Sequence, residues 1–523
     1  MRKFNVTGLC SPHEDYMVNI SNKLIQIKNL VDTRSYFTIN RARQYGKTTT
    51  LACLSIALKD EYTVISTSFE GIGDESFKTP EAFCQAFLDL IQEALEFADV
   101  DKDYRDNWTA HNIVTFQGLS KHITKMCYDK KVVLMIDEVD KASNNRIFIQ
   151  FLGMLRSKFL SRKKGQDYTF HSVILAGVYD IKNIKLKMIQ EGSYTPSPED
   201  NKLYNSPWNI AVSFKVDLSF NPPEIATMLL EYETDHNTGM DIPAISAEIH
   251  AYTNGYPFLV SRLCQCIDEE LHKDWSPGGV HNAAKTLLEE RNTLFDDIHK
   301  NLENNKDLYN LIHGILVLGE NYSFKFGNPV IELAHTYGII VNLNGTVSIA
   351  NRIFEILIYE YFISKEHTNE ERNMIKGVLA SDIIHNGRFN MVLCLEKFAA
   401  HYYEMFSETE APFLEKHGRL LFLSYLRPLI NGYGFYHIES ETRNQRRMDI
   451  VMDYNQEQFI IELKLWHGEK YKQQAYEQLL DYMVSKNTDT GYLLTFDFRT
   501  TANKQRQTKW VQLGNKRIFD VVV

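Results

Sequence analysis

The sequence predicts an α/β protein of several domains: a parallel-sheet domain comes first, helical segments follow, and a second domain of mixed α/β type ends the chain. The chain has 523 residues, which is too many for one hydrophobic core, since domains usually contain about 100 to 200 residues. Short apolar strands alternate with helical segments in the N-terminal part, as in a parallel sheet. Near the C-terminus two alternating strands precede a polar helix.

Composition and charge narrow the functional class. With 44% hydrophobic and 24% charged residues, the chain matches ordinary globular proteins. The net charge of -10 argues against a protein that coats nucleic acid by bulk electrostatics, so any nucleic-acid contact is expected to be local.

Neither export nor a membrane partner is expected. The N-terminal "MRKFNVTGLCSPHEDY" lacks the apolar run of a signal peptide, and the richest apolar stretch, "GRLLFLSYLRPLI", is interrupted by Arg427 and Pro428. We therefore expect a cytoplasmic location. Cys264 and Cys266, the closest of the seven cysteines, have one residue between them, which fits neither a zinc site nor a redox pair. The cysteines are expected to be core thiols.

A phosphate-binding loop is the first candidate site. "RARQYGKTTT" follows the apolar strand "SYFTIN" and precedes the helical "KTTTLACLSIALKD", the context that such a loop requires. Gly46 would let backbone N–H groups face a phosphate, Lys47 would reach the β- and γ-phosphates, and Thr48 would bind Mg²⁺. The usual first glycine of the pattern is replaced by Arg41.

A second motif, "KKVVLMIDEVDKA", supports this interpretation. An apolar strand from Val132 to Ile136 ends in Asp137 and Glu138. Asp137 would hold Mg²⁺ through water, and Glu138 would polarise the water that attacks the γ-phosphate. The alternative is an acidic turn without function at the edge of a sheet. A further apolar strand, "HSVILAGVYDIKNI", continues the α/β alternation.

Together "YFTINRARQYGKTTTL", "VISTSFEG", "LMIDEVDKA" and "SVILAGVYDI" resemble the AAA-ATPase-like family of prokaryotic P-loop proteins, whose loop often begins with arginine. "TNGYPFLVSRLC" resembles the segment that opens a lid helix in related ATPases. Arg156 and Arg262 are candidates for stabilising γ-phosphate charge, although neither is assigned that role. The residues expected to bind ATP are Arg43, Gln44, Tyr45, Gly46, Lys47, Thr48, Thr49 and Asp137.

The middle of the chain contains "GIIVNLNGTVSI", which predicts a hairpin turning at Asn344 and Gly345. Helices followed by a small hairpin resemble the winged-helix domain that is often appended to such ATPases. Acidic residues around the hairpin favour a connecting role over DNA reading.

A second candidate site lies in "RRMDIVMDYNQEQFIIELKLWHGEKYKQQAYEQLLDYM". If the hairpin turns at Asn455 and Gln456, Asp449 lies opposite Glu462; with a four-residue loop it faces Lys464. In both registers these three side chains share one face, and the apolar face opposite is expected to be the core. Two neighbouring carboxylates repel unless a cation lies between them, and Mg²⁺, or Mn²⁺ in its place, is the natural one. Lys464 would position the attacking water.

This pattern resembles the PD-(D/E)xK nuclease superfamily, with Asp449 as the D and Glu462 and Lys464 as the E-x-K, although Met448 stands where proline is usual. "QLLDY" matches the helix of RecB-like nucleases and adds Gln478 and Tyr482. Glu415 is a further candidate for which a solvated surface position is equally open. The alternative for the whole set is a surface hairpin with an incidental ion pair.

A basic segment, "TANKQRQTKWVQLGNKR", could follow a phosphate backbone while Trp510 stacks on a base; a solvated segment with Trp510 turned into the core is the alternative.

The complete expectation is a P-loop ATPase core over residues 1–220, a helical lid over 221–295, a winged helix over 296–370 and a nuclease-like domain over 371–523. The chain would bind and hydrolyse ATP and cleave DNA with Mg²⁺, gated by nucleotide. The alternative is a nucleotide-dependent switch or nucleic-acid-binding module whose nuclease fold is catalytically silent. RNA in place of DNA, and assembly into a homo-oligomer, stay open.

Overall fold

The computed structural model forms two compact units. It describes residues 2–98, 100–109, 113–142, 146–178, 208–316, 320–369, 383–385, 388–406, 434–437, 450–454, 457–466, 469–486, 488–497 and 507–523, together with short pieces between 418 and 430. The first unit comprises Met1–Ile298, Glu332–Ile340 and Ala350–Ile353. The second comprises His299–Ile331, Val341–Ile349 and Phe354–Val523.

A parallel sheet of four strands, ordered β1-β4-β3-β2, forms the centre of the first unit. Its strands are β1 (Tyr36–Asn40), β2 (Thr63–Ser68), β3 (Val132–Asp137) and β4 (Ser172–Gly177). Every residue of β3 and β4 is buried, because helices cover both faces of the sheet. The predicted strands are confirmed.

Side chains alternate between two apolar cores, one on each face of this sheet. The helices of this part are α1 (Ser21–Asp32), α2 (Lys47–Leu58), α3 (Pro80–Glu96), α4 (Lys102–Thr109), α5 (Phe116–Met126) and α6 (Arg146–Lys163). Leu134 and Ile136 belong to the core that includes α3 and α6, while Met135 and Val133 belong to the core that includes α1 and α2.

Four helices follow the sheet: α7 (Pro222–His236), α8 (Ile242–Thr253), α9 (Pro257–Glu269) and α10 (Pro277–Glu289). Asn254 and Gly255 both have left-handed backbone angles, φ 46° and 70°, so α8 ends there and α9 begins at Pro257. A helix thus begins within the predicted segment, while its assignment as a lid stays a prediction.

The predicted hairpin is also confirmed. β5 (Ile340–Leu343) pairs with β6 (Thr346–Ile349), and the turn residues Asn344 and Gly345 have φ angles of 52° and 89°. The helices that precede and follow it in the sequence are α11 (Thr293–Asn304), α12 (Lys306–Leu316), α13 (Pro329–Thr336) and α14 (Arg352–Asn369).

A mixed sheet of six strands, ordered β13-β14-β12-β11-β10-β9, forms the centre of the second unit. Its strands are β9 (Gly434–His437), β10 (Ile450–Tyr454), β11 (Glu457–Leu465), β12 (Thr490–Phe496), β13 (Gln507–Leu513) and β14 (Lys516–Val522). The remaining elements are the short pair β7 (Ile384–His385) and β8 (Arg388–Phe389), α15 (Met391–Phe406) and α16 (Glu469–Ser485).

Two expectations about this sheet can be compared with the structure. Tyr454 pairs with Glu457, which is the register of the two-residue alternative. The apolar face with Ile450 and Ile461 is buried as expected, and α16 also covers the other face, where Val451 and Ile460 are fully buried.

All seven cysteines are free. Five are buried as expected, whereas Cys10 and Cys53 are half-buried, so those two are not core thiols. None of the helices in the described part of the chain has the length and apolar character needed to cross a membrane.

Candidate functional site

The phosphate loop connects β1 to α2 at the carboxyl edge of the first sheet. Gly46, with φ 73°, caps α2 in the left-handed region, and Gln44 also has a positive φ of 55°. These angles turn the chain sharply before Lys47 starts the helix, so the positive end of α2 faces the loop. Such a helix N-terminus is suited to bind an anion.

The Lys47 ammonium lies inside this loop. Its Nζ donates to the carbonyl oxygens of Arg41 at 3.0 Å and Ala42 at 2.9 Å, and the residue is 6% exposed. Burial lowers the pKa of Lys47, while the carboxylates of Glu138 and its neighbours act in the opposite direction. A charged ammonium that has only neutral carbonyl partners would gain by contact with a phosphate.

Asp137 ends β3 beside the first turn of α2. The Thr48 hydroxyl donates a hydrogen bond of 2.6 Å to Asp137 Oδ2, and the Glu138 backbone N–H donates to Asp137 Oδ1 at 2.9 Å. Thr48 is exposed and Asp137 is buried, so the pair lies at the mouth of the site. A hydroxyl and a carboxylate are hard oxygen ligands of the type that Mg²⁺ prefers.

Glu138 has a strained backbone. Its φ is 52°, a left-handed angle that a residue with a Cβ adopts at a cost of roughly 1 to 2 kcal/mol. Burial raises the pKa of its carboxyl group, and the nearby Asp137 charge raises it further. A strained backbone and a raised pKa thus occur at one residue beside the phosphate loop.

Asp140 links this acidic segment to β4. Its Oδ2 accepts a hydrogen bond of 2.5 Å from the Val178 backbone N–H. A Cβ at Gly177 would lie 2.9 Å from both oxygens of this carboxylate, so a larger residue there would displace the Asp140 side chain. The sequence interpretation missed Asp140, although a third acid in "DEVDK" was a visible signal.

Arg41 explains the missing glycine of the loop. Its guanidinium donates to the carbonyl oxygens of Asn40 at 2.8 Å and Val216 at 2.7 Å, and lies 5.4 Å from the centre of the Phe214 ring. The Arg41 side chain therefore connects the end of β1 to the segment that contains Phe214 and Val216. This tie is a structural role and needs no contact with phosphate.

Arg43 and Gln44 bind the first part of α11. Arg43 Nη1 lies 2.8 Å from Asp297 Oδ2, and Gln44 Nε2 donates to Thr293 Oγ1 at 3.2 Å. Two consecutive loop residues thus contact two residues that are one helical turn apart.

Tyr256 fixes the backbone of the same loop from the start of α9. Its hydroxyl donates to the Arg43 carbonyl oxygen at 2.5 Å, and its ring packs edge-on against Tyr45 at 4.7 Å. Gly338 also approaches the loop, because a Cβ there would lie 2.6 Å from Cβ of Ala42.

A cavity of about 360 Å³ opens beside the loop, between the N-terminal segment and α9. The Thr49 hydroxyl accepts a hydrogen bond of 3.3 Å from the Cys10 backbone N–H and so lines this cavity. Its lining includes Val6, Gly8, Thr49 and Phe258. Sequence patterns gave no signal for the part played by the N-terminal segment.

Neither of the two arginine candidates has a described contact with the phosphate loop. Arg262 pairs with Glu290 and, at 2.6 Å, with Glu270. Arg156 lies in the middle of α6 and is half-buried. Neither is brought to the phosphate loop by a described contact.

In the second unit Glu462 and Lys464 form an ion pair on β11. Lys464 Nζ lies 2.7 Å from Glu462 Oε1; the Glu462 side chain is 0% exposed and the Lys464 side chain 29%. Asp449, the predicted partner carboxylate, and Glu415 lie outside the described residues.

Helix α16 covers the face that carries Glu462. Tyr482 is buried in the same cluster as Ile460, and Gln478, one turn earlier, is half-buried. The helix is anchored by Lys472, whose Nζ lies 2.6 Å from Oδ2 of the fully buried Asp520.

Trp510 lies on the opposite face of the second sheet. Residues that pair across neighbouring strands lie on the same face of a sheet. Glu462 pairs with Leu493, Leu493 with Asp520, and Asp520 with Lys509, so Lys509 lies on the same face as Glu462. The neighbouring Trp510 points the other way, is 46% exposed and has the Arg517 guanidinium 4.8 Å from its ring centre. The alternative in which Trp510 turns into the core was therefore wrong.

Within the described residues, no cluster of three or more His, Cys, Asp or Glu side chains is arranged to hold a metal ion. Any divalent cation at Thr48 and Asp137 would thus need ligands from nucleotide and water, as is usual for Mg²⁺.

Comparisons with known proteins give one broad match. A family model described as an AAA-like domain matches residues 16–355, and a second, described as a domain of unknown function, matches residues 398–500. An uncharacterized WD repeat-containing protein of Synechocystis sp. (strain PCC 6803) is 23% identical over 257 residues, which are 46% of this chain; the chain spans 20% of the length of that relative.

Among solved structures, a Walker-type ATPase of Pyrococcus abyssi aligns with a TM-score of 0.46 at 12% identity, over 68% of this chain and 99% of that one. The ORC2 protein of Aeropyrum pernix, in ADPNP–ADP complexes, aligns with a TM-score of 0.32 at 12% identity, over 67% of this chain and 94% of that one.

Proposed function

The chain belongs to the AAA-like domain family, and we propose that its first unit binds ATP with Mg²⁺ and hydrolyses it at the phosphate loop. The membership confirms the AAA-like part of the expectation from sequence. The observation that carries the proposal is the 2.6 Å hydrogen bond between Thr48 and Asp137, which joins the two sequence motifs in one site.

Each residue of this site has a distinct task. Thr48 would bind Mg²⁺ directly and Asp137 through water, while Lys47 would exchange its carbonyl partners for the β- and γ-phosphates. Glu138, whose pKa is raised by burial and by Asp137, would orient the attacking water. Backbone N–H groups from Gln44 to Thr49 would surround the phosphates.

The cavity beside the loop would receive the nucleoside. Its lining combines apolar side chains, such as Val6 and Phe258, with the backbone of Gly8, and it borders Thr49 at the start of α2. A volume of about 360 Å³ lies within the range of roughly 300 to 1,000 Å³ that small-ligand sites have. The N-terminal segment would thus act as one wall of the base site.

For the second unit we propose metal-dependent cleavage of nucleic acid, DNA in the first place. Support comes from Glu462, a carboxylate that is fully buried beside the Lys464 ammonium, with Gln478 on the helix that covers the same face. Burying a carboxylate is costly unless cations neutralise it, and Mg²⁺ or Mn²⁺ held by Glu462 together with Asp449 would add to the charge of Lys464. Lys464 would then position the attacking water.

A specific observation favours the rival function. The Glu462 carboxylate already has the Lys464 ammonium at 2.7 Å, so the pair is neutral without a metal. The second unit would then be a silent nuclease fold, and the whole chain a nucleotide-dependent switch or nucleic-acid-binding module.

One experiment separates these functions. Linear, circular and single-stranded DNA are incubated with the full chain and Mg²⁺ or Mn²⁺, with and without ATP, and the native protein is compared with Lys464→Ala and Lys47→Ala. Cleavage that is lost in Lys464→Ala at a temperature where this variant is folded, and that responds to ATP only when Lys47 is present, supports a gated nuclease. ATP hydrolysis without cleavage of any substrate supports the switch.

A calorimetric titration with Mn²⁺ provides an independent reading. Binding that Glu462→Ala abolishes, while ATP hydrolysis is retained, supports a metal site in the second unit. An unchanged titration in that variant contradicts it.

A further inference from the structure

The contact between the phosphate loop and α11 joins a cation of the loop to a carboxylate outside it. Arg43 lies three residues before Gly46, and its guanidinium pairs with Asp297 at 2.8 Å. Gln44 holds Thr293, one turn earlier on the same helix. The cations of a phosphate loop are the groups that bind the phosphates of its ligand. The Asp297 carboxylate therefore occupies a guanidinium that a phosphate group would otherwise bind.

We propose that Asp297 competes with the triphosphate for Arg43, so that ATP binding transfers the guanidinium from Asp297 to the γ-phosphate and releases the first turns of α11. This inference rests on the proposed ATP binding at Lys47 and Thr48. It adds a regulatory contact to that site. The Arg43–Asp297 pair of the ligand-free chain must break when ATP binds, so it lowers the affinity for ATP, and its loss couples ATP binding to α11.

The backbone around Arg43 is fixed while its side chain is accessible. The buried Tyr256 hydroxyl holds the Arg43 carbonyl oxygen at 2.5 Å, whereas the Arg43 side chain is 69% exposed. The guanidinium can therefore change partner by rotation about its side-chain bonds without moving the loop. A planar guanidinium can bind two oxygens of a phosphate at once, as it can two oxygens of a carboxylate. The triphosphate, however, carries more negative charge than the single Asp297 carboxylate.

The strength of the contact suits a reversible exchange. The Asp297 side chain is 29% exposed, and ion pairs that water reaches contribute little. A ligand with several negative charges can break such a pair, and the pair shifts the affinity by about two- to fivefold. ADP lacks the γ-phosphate and should leave the Arg43–Asp297 pair in place.

The test uses the full chain and dissociation constants for Mg²⁺–ATP and Mg²⁺–ADP measured by titration calorimetry. Asp297→Asn is compared with Asp296→Asn, which removes the same charge from the exposed neighbouring position of α11. We expect Asp297→Asn to tighten ATP binding about two- to fivefold and ADP binding less, with Asp296→Asn unchanged. In an Arg43→Gln background the Asp297→Asn gain should vanish.

A second readout is hydrogen exchange at the first turns of α11, which should be faster with ATP than with ADP in the native chain and equal in Asp297→Asn. An equal gain in Asp297→Asn and Asp296→Asn, or a gain that persists with Arg43→Gln, overturns the inference while leaving ATP binding intact. Absence of ATP binding by the native chain overturns the proposed function, and this inference with it.

Discussion

The Thr48 hydroxyl and the Asp137 carboxylate, 89 positions apart in the chain, are joined by a hydrogen bond of 2.6 Å. The bond exists because parallel strands present their carboxyl ends at one edge, where α2 starts beside the end of β3. The donated proton orients the hydroxyl so that an oxygen lone pair is left for a cation. Thr48 can thus bind Mg²⁺ while it remains hydrogen-bonded to Asp137.

Thr48→Val should lower the rate of ATP hydrolysis about 100-fold, because the metal loses a ligand and Asp137 loses its donor. Thr48→Ser is the matched control, since it keeps the hydroxyl and should retain most of the activity. Steady-state phosphate release at saturating Mg²⁺–ATP measures both. Equal losses in the two variants would contradict a specific role of the hydroxyl, because Thr48→Ser keeps that group and Thr48→Val does not.

Glu138→Gly should raise the melting temperature while abolishing hydrolysis. Glycine adopts a φ of 52° without the penalty of a Cβ, so the native state should gain roughly 0.5 to 1 kcal/mol. Glu138→Gln is the control: it should also abolish hydrolysis, but its backbone keeps the strain. A Glu138→Gly protein that melts at or below the temperature of Glu138→Gln would contradict strain at this residue.

His171 should make the first unit less stable in mild acid. Burial lowers the pKa of His171 from 6.5 to about 4, and the nearby Arg34 and Arg162 charges add to this effect. The unfolded chain therefore binds a proton that the native chain does not, so stability is present above pH 6.5 and is lost as the pH falls towards 4.

The control is His171→Phe, which keeps a ring against Tyr62 but cannot titrate. Denaturant midpoints at pH 7 and pH 5 measure the effect, which should reach about 1 to 2 kcal/mol in the native chain. A difference between the two pH values that is the same in His171→Phe would assign the acid sensitivity to another group.

Lys464→Ala should destabilise the second unit more than Glu462→Gln. The Glu462 side chain is fully buried, so loss of the ammonium removes a cation that balances a buried charge, at a cost of about 3 to 5 kcal/mol. Loss of the carboxylate leaves Lys464, whose side chain is 29% exposed and can turn to water.

Thermal unfolding of the two variants measures this difference, and Mn²⁺ extends the test. If Glu462 binds a divalent cation, Mn²⁺ should raise the melting temperature of Lys464→Ala and leave Glu462→Gln unchanged. A rise in neither variant would favour the silent fold over the nuclease.

Much of the first unit could be predicted from local pattern. The strands ending at Asn40 and Asp137 are mostly apolar runs because both faces of the sheet are covered, and such runs are visible in sequence. The turn at Asn344 and Gly345 was equally clear, because these residues adopt left-handed angles at low cost.

Contacts between distant segments carried no such signal. The pairing of Arg43 with Asp297 and the cavity beside Thr49 depend on how segments far apart in sequence meet. In the second unit alternation identified the Ile450 and Ile461 face as apolar, but it could not show that α16 would bury Glu462 on the other face. A periodic pattern describes one strand and says nothing of the layer that covers it.

Arg41 bears on how nucleotide-binding loops are recognised. A search pattern that demands glycine at the first loop position would pass over this chain, although the turn at Gly46 and the lysine after it are intact. Here the position is occupied by a guanidinium that braces two backbone carbonyls. What such a search should require is a firmly anchored strand end, which different residue types can provide, followed by a left-handed turn of the kind that Gly46 makes here.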